Sequence, residues 1–350
     1  MARIAIFSKY FGYNVGGAEH SVLELLKQEE AKGHTITAVI VDNVHSHSAD
    51  QLKIPLPESW QVQRLSLPAD TVRFRFVAYW RNRHALTKFG QSLQGIDTLY
   101  AYGLYAPAVI NAFSGETVYL VRDEYGLGWN RNYHRGFKRW LFWLYRLSEW
   151  PLERVWLRDL YRAIAKSRLI ANSSFIASEL SKLSPEARIE LRYSQVDTEK
   201  LQADYARHLP TQPNKGIVLI GDNILKGGDI ARRIAERLPE RTFYFFDRRY
   251  QEPRRDGNRV FMPWQSPGYV YAQAELIIVP SRWQEAFPRA VLEAQVLGIP
   301  VVASACGGIP EALADSSALI DDPDDIETWV TKIDERLRFE AGAKDKNPCA

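Results

Sequence analysis

Short apolar runs alternate along this chain with stretches of helical period, and each change of period marks an element. Arg3–Phe7 (RIAIF) predicts an opening buried strand, a loop follows over Ser8–Gly17, and a helix runs from about Ala18 to Lys32, stopped by Gly33. Thr35–Val41 is the next strand, with others at Val62–Leu65, Thr98–Ala101, Thr117–Val121 and Leu169–Ala171. Two helices are predicted over Phe137–Glu149 and Leu152–Lys166, divided at Trp150–Pro151 because the residue before a proline avoids helical backbone angles.

A second series begins after the polar, proline-marked stretch His208–Lys215. Its elements are a strand at Gly216–Gly221, a loop with Lys226 and Gly227–Gly228, a helix over Asp229–Leu238 and a strand at Thr242–Phe246. Arg259–Phe261, a helix around Gly268–Gln273, the unit Leu276–Ser304 and an amphipathic helix over Asp324–Arg338 complete it. Strands alternating with helices predict an α/β chain of two doubly wound halves. At 350 residues, two cores are also the expected number.

The stretch Leu276–Glu311 carries most of the chemistry. Strands Leu276–Pro280 and Ile299–Ser304 flank a helix over Pro288–Leu297, with Pro288 in its first turn and Gly298 as its stop. Such a unit places its strands parallel, so the loops Ser281–Phe287 and Ala305–Gly308 emerge at the sheet's carboxyl edge, where ligands sit. Glu285 and Glu293 form an E-x(7)-E pair whose carboxylates can accept from sugar hydroxyls. Gly307, Gly308 and the helix start near Phe287–Pro288 suit close approach to an anion. Lys226, at another carboxyl strand end, can offset diphosphate charge, and Arg282 and Arg289 are further candidates. Singly, each has a plainer reading as a solvated acid or a surface cation. Their shared edge favours a nucleotide-sugar.

The first half offers less. Gly16 and Gly17 precede a helix and suit either anion approach or a tight turn. Asp123, just past a strand, can orient an acceptor hydroxyl or cap a helix. No G-x-G-x-x-G fingerprint is present, which argues against a nicotinamide or flavin enzyme. His45 and His47 read as solvated, and no cluster has metal-ligand spacing, so neither metal nor other cofactor is expected. Two cysteines, Cys306 and Cys349, predict a reducing compartment. The opening MARIAIFSKY is too short in apolar residues for a signal peptide and no run reaches membrane-spanning length, so the cytoplasm is the expected location.

Charge changes the picture in one place. Residues 129–168 hold ten Lys/Arg against three acids, and five of the ten tryptophans. Cations with tryptophans suit adsorption to an anionic bilayer at the inner membrane face, a reading balanced by a pair of core-packed helices with basic outer faces. Nucleic acid is not an expected partner, because no recognition motif accompanies the charge.

The run PSRWQEAFPRAVLEAQVLGIPVVASACGGIPE over Pro280–Glu311 resembles the retaining glycosyltransferases of family 4, the glycosyl transferases group 1. Weaker matches are Gly16-Gly17-Ala18-Glu19, Ala171-Asn172-Ser173, Val196-Asp197 and Lys226-Gly227, while Arg64–Ser114 contributes little. The resemblance implies a GT-B fold: two facing Rossmann-like domains with a cleft between them. Residues 1–205 would be the acceptor-binding domain and 206–323 the nucleotide-sugar donor domain. Residues 324–340 would form a closing helix able to pack back on the first domain, and 341–350 a tail.

By the same resemblance Glu285 contacts the transferred sugar beside the Phe287–Pro288 amides, and Glu293 binds the ribose. Lys226 binds the diphosphate, which Gly16–Gly17 approach from the other domain, and Asp123 stands on the acceptor side. The implied activity is retaining transfer from a nucleotide-diphosphate sugar to a glycan or lipid-linked acceptor, in polysaccharide, lipopolysaccharide or glycoconjugate assembly. Two departures stand out. Gly221-Asp222-Asn223 replaces a usual Gly-Arg, so Asp222 must point away from the diphosphate or be compensated by Arg282 or Arg289; Arg122 replaces a usual histidine. A sugar-nucleotide epimerase of the same fold and an inactive nucleotide-sugar-binding subunit are the alternatives.

Overall fold

The computed structural model describes residues 1–13, 17–42, 54–67, 74–129, 131, 136–209 and 215–346, with side chains described as far as 339. Its contacts divide into two compact units, Met1–Gln195 and Val196–Ala350.

In chain order the N-terminal unit contains β1 (Arg3–Phe7), α1 (Gly17–Ala31), β2 (Thr35–Val41), β3 (Gln61–Leu65) and α2 (Arg75–Ser92). It continues with β4 (Thr98–Ala101), α3 (Ala106–Ala112), β5 (Glu116–Val121), a 3-10 turn (Glu124–Leu127), α4 (Phe137–Lys166), β6 (Arg168–Ala171), α5 (Ser174–Leu183) and β7 (Ile189–Leu191). The seven strands are parallel in the order β3-β2-β1-β4-β5-β6-β7. Strands such as β4, TLYA, are buried along their whole length because helices cover both faces. The direction of winding reverses between β1 and β4, which makes their carboxyl ends a switch point.

One expectation is corrected here. The two helices predicted on either side of Trp150–Pro151 are a single 30-residue helix, α4, with Pro151 inside it. A mid-helix proline removes one backbone bond and crowds the preceding turn. Side chains hold the helix together across that point. Arg146 Nη2 reaches over the proline to Glu153 at 3.2 and 3.3 Å, and Glu149 accepts the Phe76 amide at 3.2 Å. Beyond the proline, Asp159 receives Arg83 and Tyr79, and Trp156 Nε1 donates to Leu104 O at 3.0 Å. The second half thereby buries one face, through Trp156, Leu160, Ala163 and Ile164, while the first half stays mostly exposed.

The C-terminal unit runs α6 (Thr198–His208), β8 (Gly216–Ile220), α7 (Gly228–Arg237), β9 (Phe243–Asp247), β10 (Arg254–Asp256), β11 (Arg259–Pro263) and α8 (Pro267–Ala272). Then follow β12 (Ala274–Val279), α9 (Arg289–Val296), β13 (Val301–Ser304), α10 (Ile309–Ala312), β14 (Leu319–Ile320) and α11 (Ile326–Lys346). The sheet order is β10-β11-β9-β8-β12-β13-β14, with β10–β11 antiparallel and the other pairs parallel. Its switch point lies between β8 and β12. Two apolar layers cover the sheet. One includes Val291 and Ala294 of α9; the other includes Ile230 and Ile234 of α7 with Trp329 and Ile333 of α11. Among the described residues no helix is long and apolar enough to cross a membrane.

Candidate functional site

The loops leaving β8 and β12 meet at the C-terminal switch point. The amides of Arg282 and Trp283 both donate to Leu225 O, at 3.0 and 3.2 Å. Gly227 makes this approach possible: at φ +73°, a Cβ there would lie 1.9 Å from Pro280 O. Asn223 Oδ1 accepts from the Leu225 and Lys226 amides at 2.9 and 3.0 Å, fixing the turn that presents Lys226. The Lys226 ammonium pairs with Glu285 Oε1, and Ser281 Oγ donates to the same oxygen at 2.9 Å. Glu285 is buried while the lysine side chain keeps 40% of its surface. A fixed carboxylate and an accessible cation thus share one point of the edge.

The β13 loop buttresses this pair. Gly308 N donates to Glu285 O at 2.6 Å and Gly307 N to Gln284 Oε1 at 2.9 Å. Gly307 sits at φ +59°, and a Cβ on it would come within 2.4 Å of Glu285 O. The close approach that this glycine permits is to the Gln284–Glu285 backbone. Ser304 Oγ, at the end of β13, donates to Ser281 O at 2.7 Å and braces the same loop from below.

Helix α9 starts at Pro288 without a side-chain cap. Glu293 is buried, accepting the Tyr271 hydroxyl at 2.8 Å and Arg289 Nε and Nη2 at 3.1 and 2.7 Å. Burial, then the neighbouring Glu293 carboxylate, pushes the Tyr271 phenol well above its ordinary range. Phe287 packs half-buried against the α9 layer. Arg282 points elsewhere: it donates to Asp229 at 2.6 and 2.9 Å and to Asp324 at 2.7 Å, tying β12's loop to α7 and to the segment before α11. Burial raises the Asp229 carboxyl, but Arg282 outweighs it and leaves the group below the usual carboxylate range.

Asp222 is where the structure departs from expectation. The compensating cation is neither Arg282 nor Arg289. The buried carboxylate takes the Arg232 guanidinium and the Tyr250 hydroxyl on Oδ2, while its own amide donates to Asp247 Oδ2 at 2.7 Å. Burial, then the bond to Asp222, pushes Tyr250 up to about 12. Arg249 in turn pairs with Asp247 at 2.9 and 3.2 Å. Asp222, Arg232, Arg249 and Tyr250 help line a cavity of about 300 Å³ beside the Lys226 turn. Arg232 and Tyr250 were not singled out by sequence, since nothing local links them to Asp222.

In the N-terminal unit, Gly16 lies outside the described residues and Gly17 opens α1, exposed. Asp123 caps the 3-10 turn, accepting Gly126 N at 2.9 Å, and burial pushes its carboxyl up. The first half of α4 exposes Phe137, Trp140, Trp143 and Leu147 by 71, 56, 64 and 68%. Arg131, Arg139 and Arg146 line a cavity of about 500 Å³ with Trp129, Phe142 and Trp143. Among the described residues no three His, Cys, Asp or Glu side chains group as metal ligands, and His45 and His47 fall outside them.

Two doubly wound units of this topology define the GT-B fold of glycosyltransferases. The chain is similar to Anabaena HepE in complex with UDP-glucose, with a TM-score of 0.64 at 16% identity over 96% of this chain and 92% of that one. It is also similar to Arabidopsis thaliana UGT89C1 complexed with UDP-L-rhamnose, with a TM-score of 0.52 at 15% identity over 86% and 79%. At these identities the likeness is one of fold. Residues 254–346 match the family described as Glycosyl transferases group 1. A D-inositol 3-phosphate glycosyltransferase of Mycolicibacterium smegmatis is 34% identical over 204 residues, 50% of this chain and 46% of the relative. The chain thus spans about half the length of the curated relatives it matches.

Proposed function

We propose that the chain is a retaining, metal-independent glycosyltransferase that moves a sugar from a nucleotide-diphosphate sugar to a glycan or lipid-linked acceptor. The observation that carries this is the Lys226–Glu285 pair, held by three loops at the switch point of the C-terminal sheet. Lys226 would take the diphosphate, joined by the uncapped amides after Phe287–Pro288, and Glu285 the hydroxyls of the transferred sugar. Glu293, fixed by Tyr271 and Arg289, would receive the ribose, with Arg289 able to turn toward phosphate. Gly16, Gly17 and Asp123 remain assigned to the N-terminal side of the substrates. Arg282 contributes by holding its loop.

In the reaction the bond from the sugar's anomeric carbon to the phosphate oxygen breaks, and the acceptor oxygen bonds to that carbon on the same face. The acceptor's proton passes to the departing phosphate. No protein nucleophile is required; stabilising the leaving charge and positioning the acceptor supply the rate. Asp222 favours an active enzyme over a silent binding subunit, because its charge is engaged by Arg232 and Tyr250.

The donor half is tested by thermal shift against nucleoside diphosphates and their sugars. A ligand at a hundred times its Kd stabilises by about 2.7 kcal/mol. One nucleotide series should raise Tm, Lys226→Ala should abolish most of the shift, and acceptor should be glycosylated with retention. No shift with any nucleotide would sink the reading; free altered sugar formed without acceptor would replace it with an epimerase.

The exposed apolar half of α4, interleaved with Lys138, Arg139 and Arg146, supports docking on an anionic membrane surface at the cytoplasmic face. The protein should sediment with anionic liposomes and be released by charge reversal of these three residues. Equal sedimentation with neutral and anionic vesicles would rule the docking out.

A further inference from the structure

At the carboxyl edge of the N-terminal sheet, beside the β1–β4 switch point, the protein buries guanidinium donors that no described residue answers. Tyr102 directly follows β4 and Arg122 directly follows β5, the adjacent strand. Among the described residues, Arg122 Nε and Nη1 are sealed from solvent with no hydrogen-bond partner; the Tyr102 hydroxyl is sealed too, with Ser8 and the Glu19 carboxylate acting on it. The acids next in sequence are turned elsewhere. Asp123 accepts Gly126 N as a cap, and Glu124 lies 3.8 Å from Arg131. Arg192, a cation acting on Arg122, is itself bound to Glu29 and Glu190.

A buried guanidinium with unanswered N–H groups is among the least favourable arrangements a fold can retain. Burial pushes Arg122 down to about 10, Tyr102 opposes that shift and Arg192 adds to it. Helix capping and core packing explain neither group: the cap is Asp123, and an apolar side chain would pack better. What the cluster lacks is an acceptor, and its place on the sheet is where ligands are held.

We infer that Arg122 and Tyr102 form an oxyanion site for a carboxylate or phosphate group carried by the acceptor. A guanidinium donates to several oxygens at once, and a tyrosine hydroxyl adds a third directed bond. The assignment to the acceptor rests on the glycosyltransferase reading; the binding of an anion does not.

The test uses the full chain in thermal-shift titrations at constant ionic strength, with inorganic phosphate, glucuronate and glucose as probes and sodium chloride as the reference. Phosphate or glucuronate should raise Tm saturably, and which one does so identifies the oxyanion; glucose should not. Arg122→Met should weaken that response at least tenfold, Tyr102→Phe several-fold, and Arg122→Lys should retain part of it. Without any probe, Arg122→Met should melt a few degrees higher than the parent, because an unanswered buried charge has gone, and nucleoside diphosphate binding should be unchanged. The proposal is overturned if neither anion exceeds chloride, if the response survives Arg122→Met, or if that variant melts lower. Failure of every sugar nucleotide alongside an intact anion response would remove the acceptor assignment alone.

Discussion

The carboxyl edges of the two sheets occupy equivalent positions in similar topologies, yet they treat charge in opposite ways. In the C-terminal unit each charged side chain of the candidate site meets another, leaving only single atoms such as Asp222 Oδ1 and Arg282 Nε over among the described residues. Lys226 meets Glu285, Glu293 meets Arg289 and Tyr271, Asp222 meets Arg232 and Tyr250, and Arg282 meets Asp229 and Asp324. In the N-terminal unit the edge buries Arg122 N–H groups that no described residue answers, and α4 leaves tryptophans in solvent. Ion pairs in a partly buried site contribute geometry more than stability, since desolvation offsets most of their attraction. The first edge is therefore rigid before substrate arrives. The second is incomplete by itself, as the proposed anion site requires.

The comparison breaks most severely at Gly307. In Gly307→Ala the new Cβ would collide with the Glu285 carbonyl, so the loop carrying Glu285 must move. Transfer should fall by roughly a hundredfold in kcat/KM, about 2.7 kcal/mol. Gly298→Ala separates strain from collision, because Gly298 has a similar φ of +66° with nothing within 4 Å. It should lose on the order of 1 kcal/mol of stability with kcat/KM nearly unchanged. Equal kinetic losses in the two variants would show that the glycine does not position Glu285.

A smaller effect sharpens the same contrast through pH. Asp229 is held below its unfolded carboxylate range by Arg282 despite burial. A depressed carboxylate contributes stability above its unfolded pKa of about 4, and loses it as pH falls through the folded value. With Asp229 about half exposed, solvent screening limits the pair to about 1 kcal/mol. Asp229→Asn should therefore melt below the parent at pH 7, and the gap should close as pH drops below 4. A gap that widens in acid would contradict the answered-charge description of this edge.

Much of this was legible in local pattern. The strand–loop–helix–strand unit around Glu285 and Glu293 was readable because period, proline and glycine stops act over a few residues, and Lys226 because it follows a strand end. The continuity of α4 was not, because it depends on Arg146 reaching Glu153 and on α2 meeting Glu149. Helices α2 and α3 were unseen in a stretch whose apolar residues follow no clear period. The role of Gly307 was read as anion approach, whereas the backbone it touches belongs to Glu285.

By itself the sequence determined the class of fold, the order of its main strands and the sheet edge at which the Lys226 and Glu285 loops emerge. Periodicity and helix punctuation are local properties, and parallel α/β winding leaves few ways to assemble them. Only the tertiary structure decided which charges answer one another. Asp222 found Arg232 and Tyr250, Arg282 turned to Asp229 and Asp324, and Arg122 Nε and Nη1 were left without a partner among the described residues. Pairing of this kind depends on distances of a few ångströms between side chains from separate elements, and nothing in the linear spacing of residues encodes those distances.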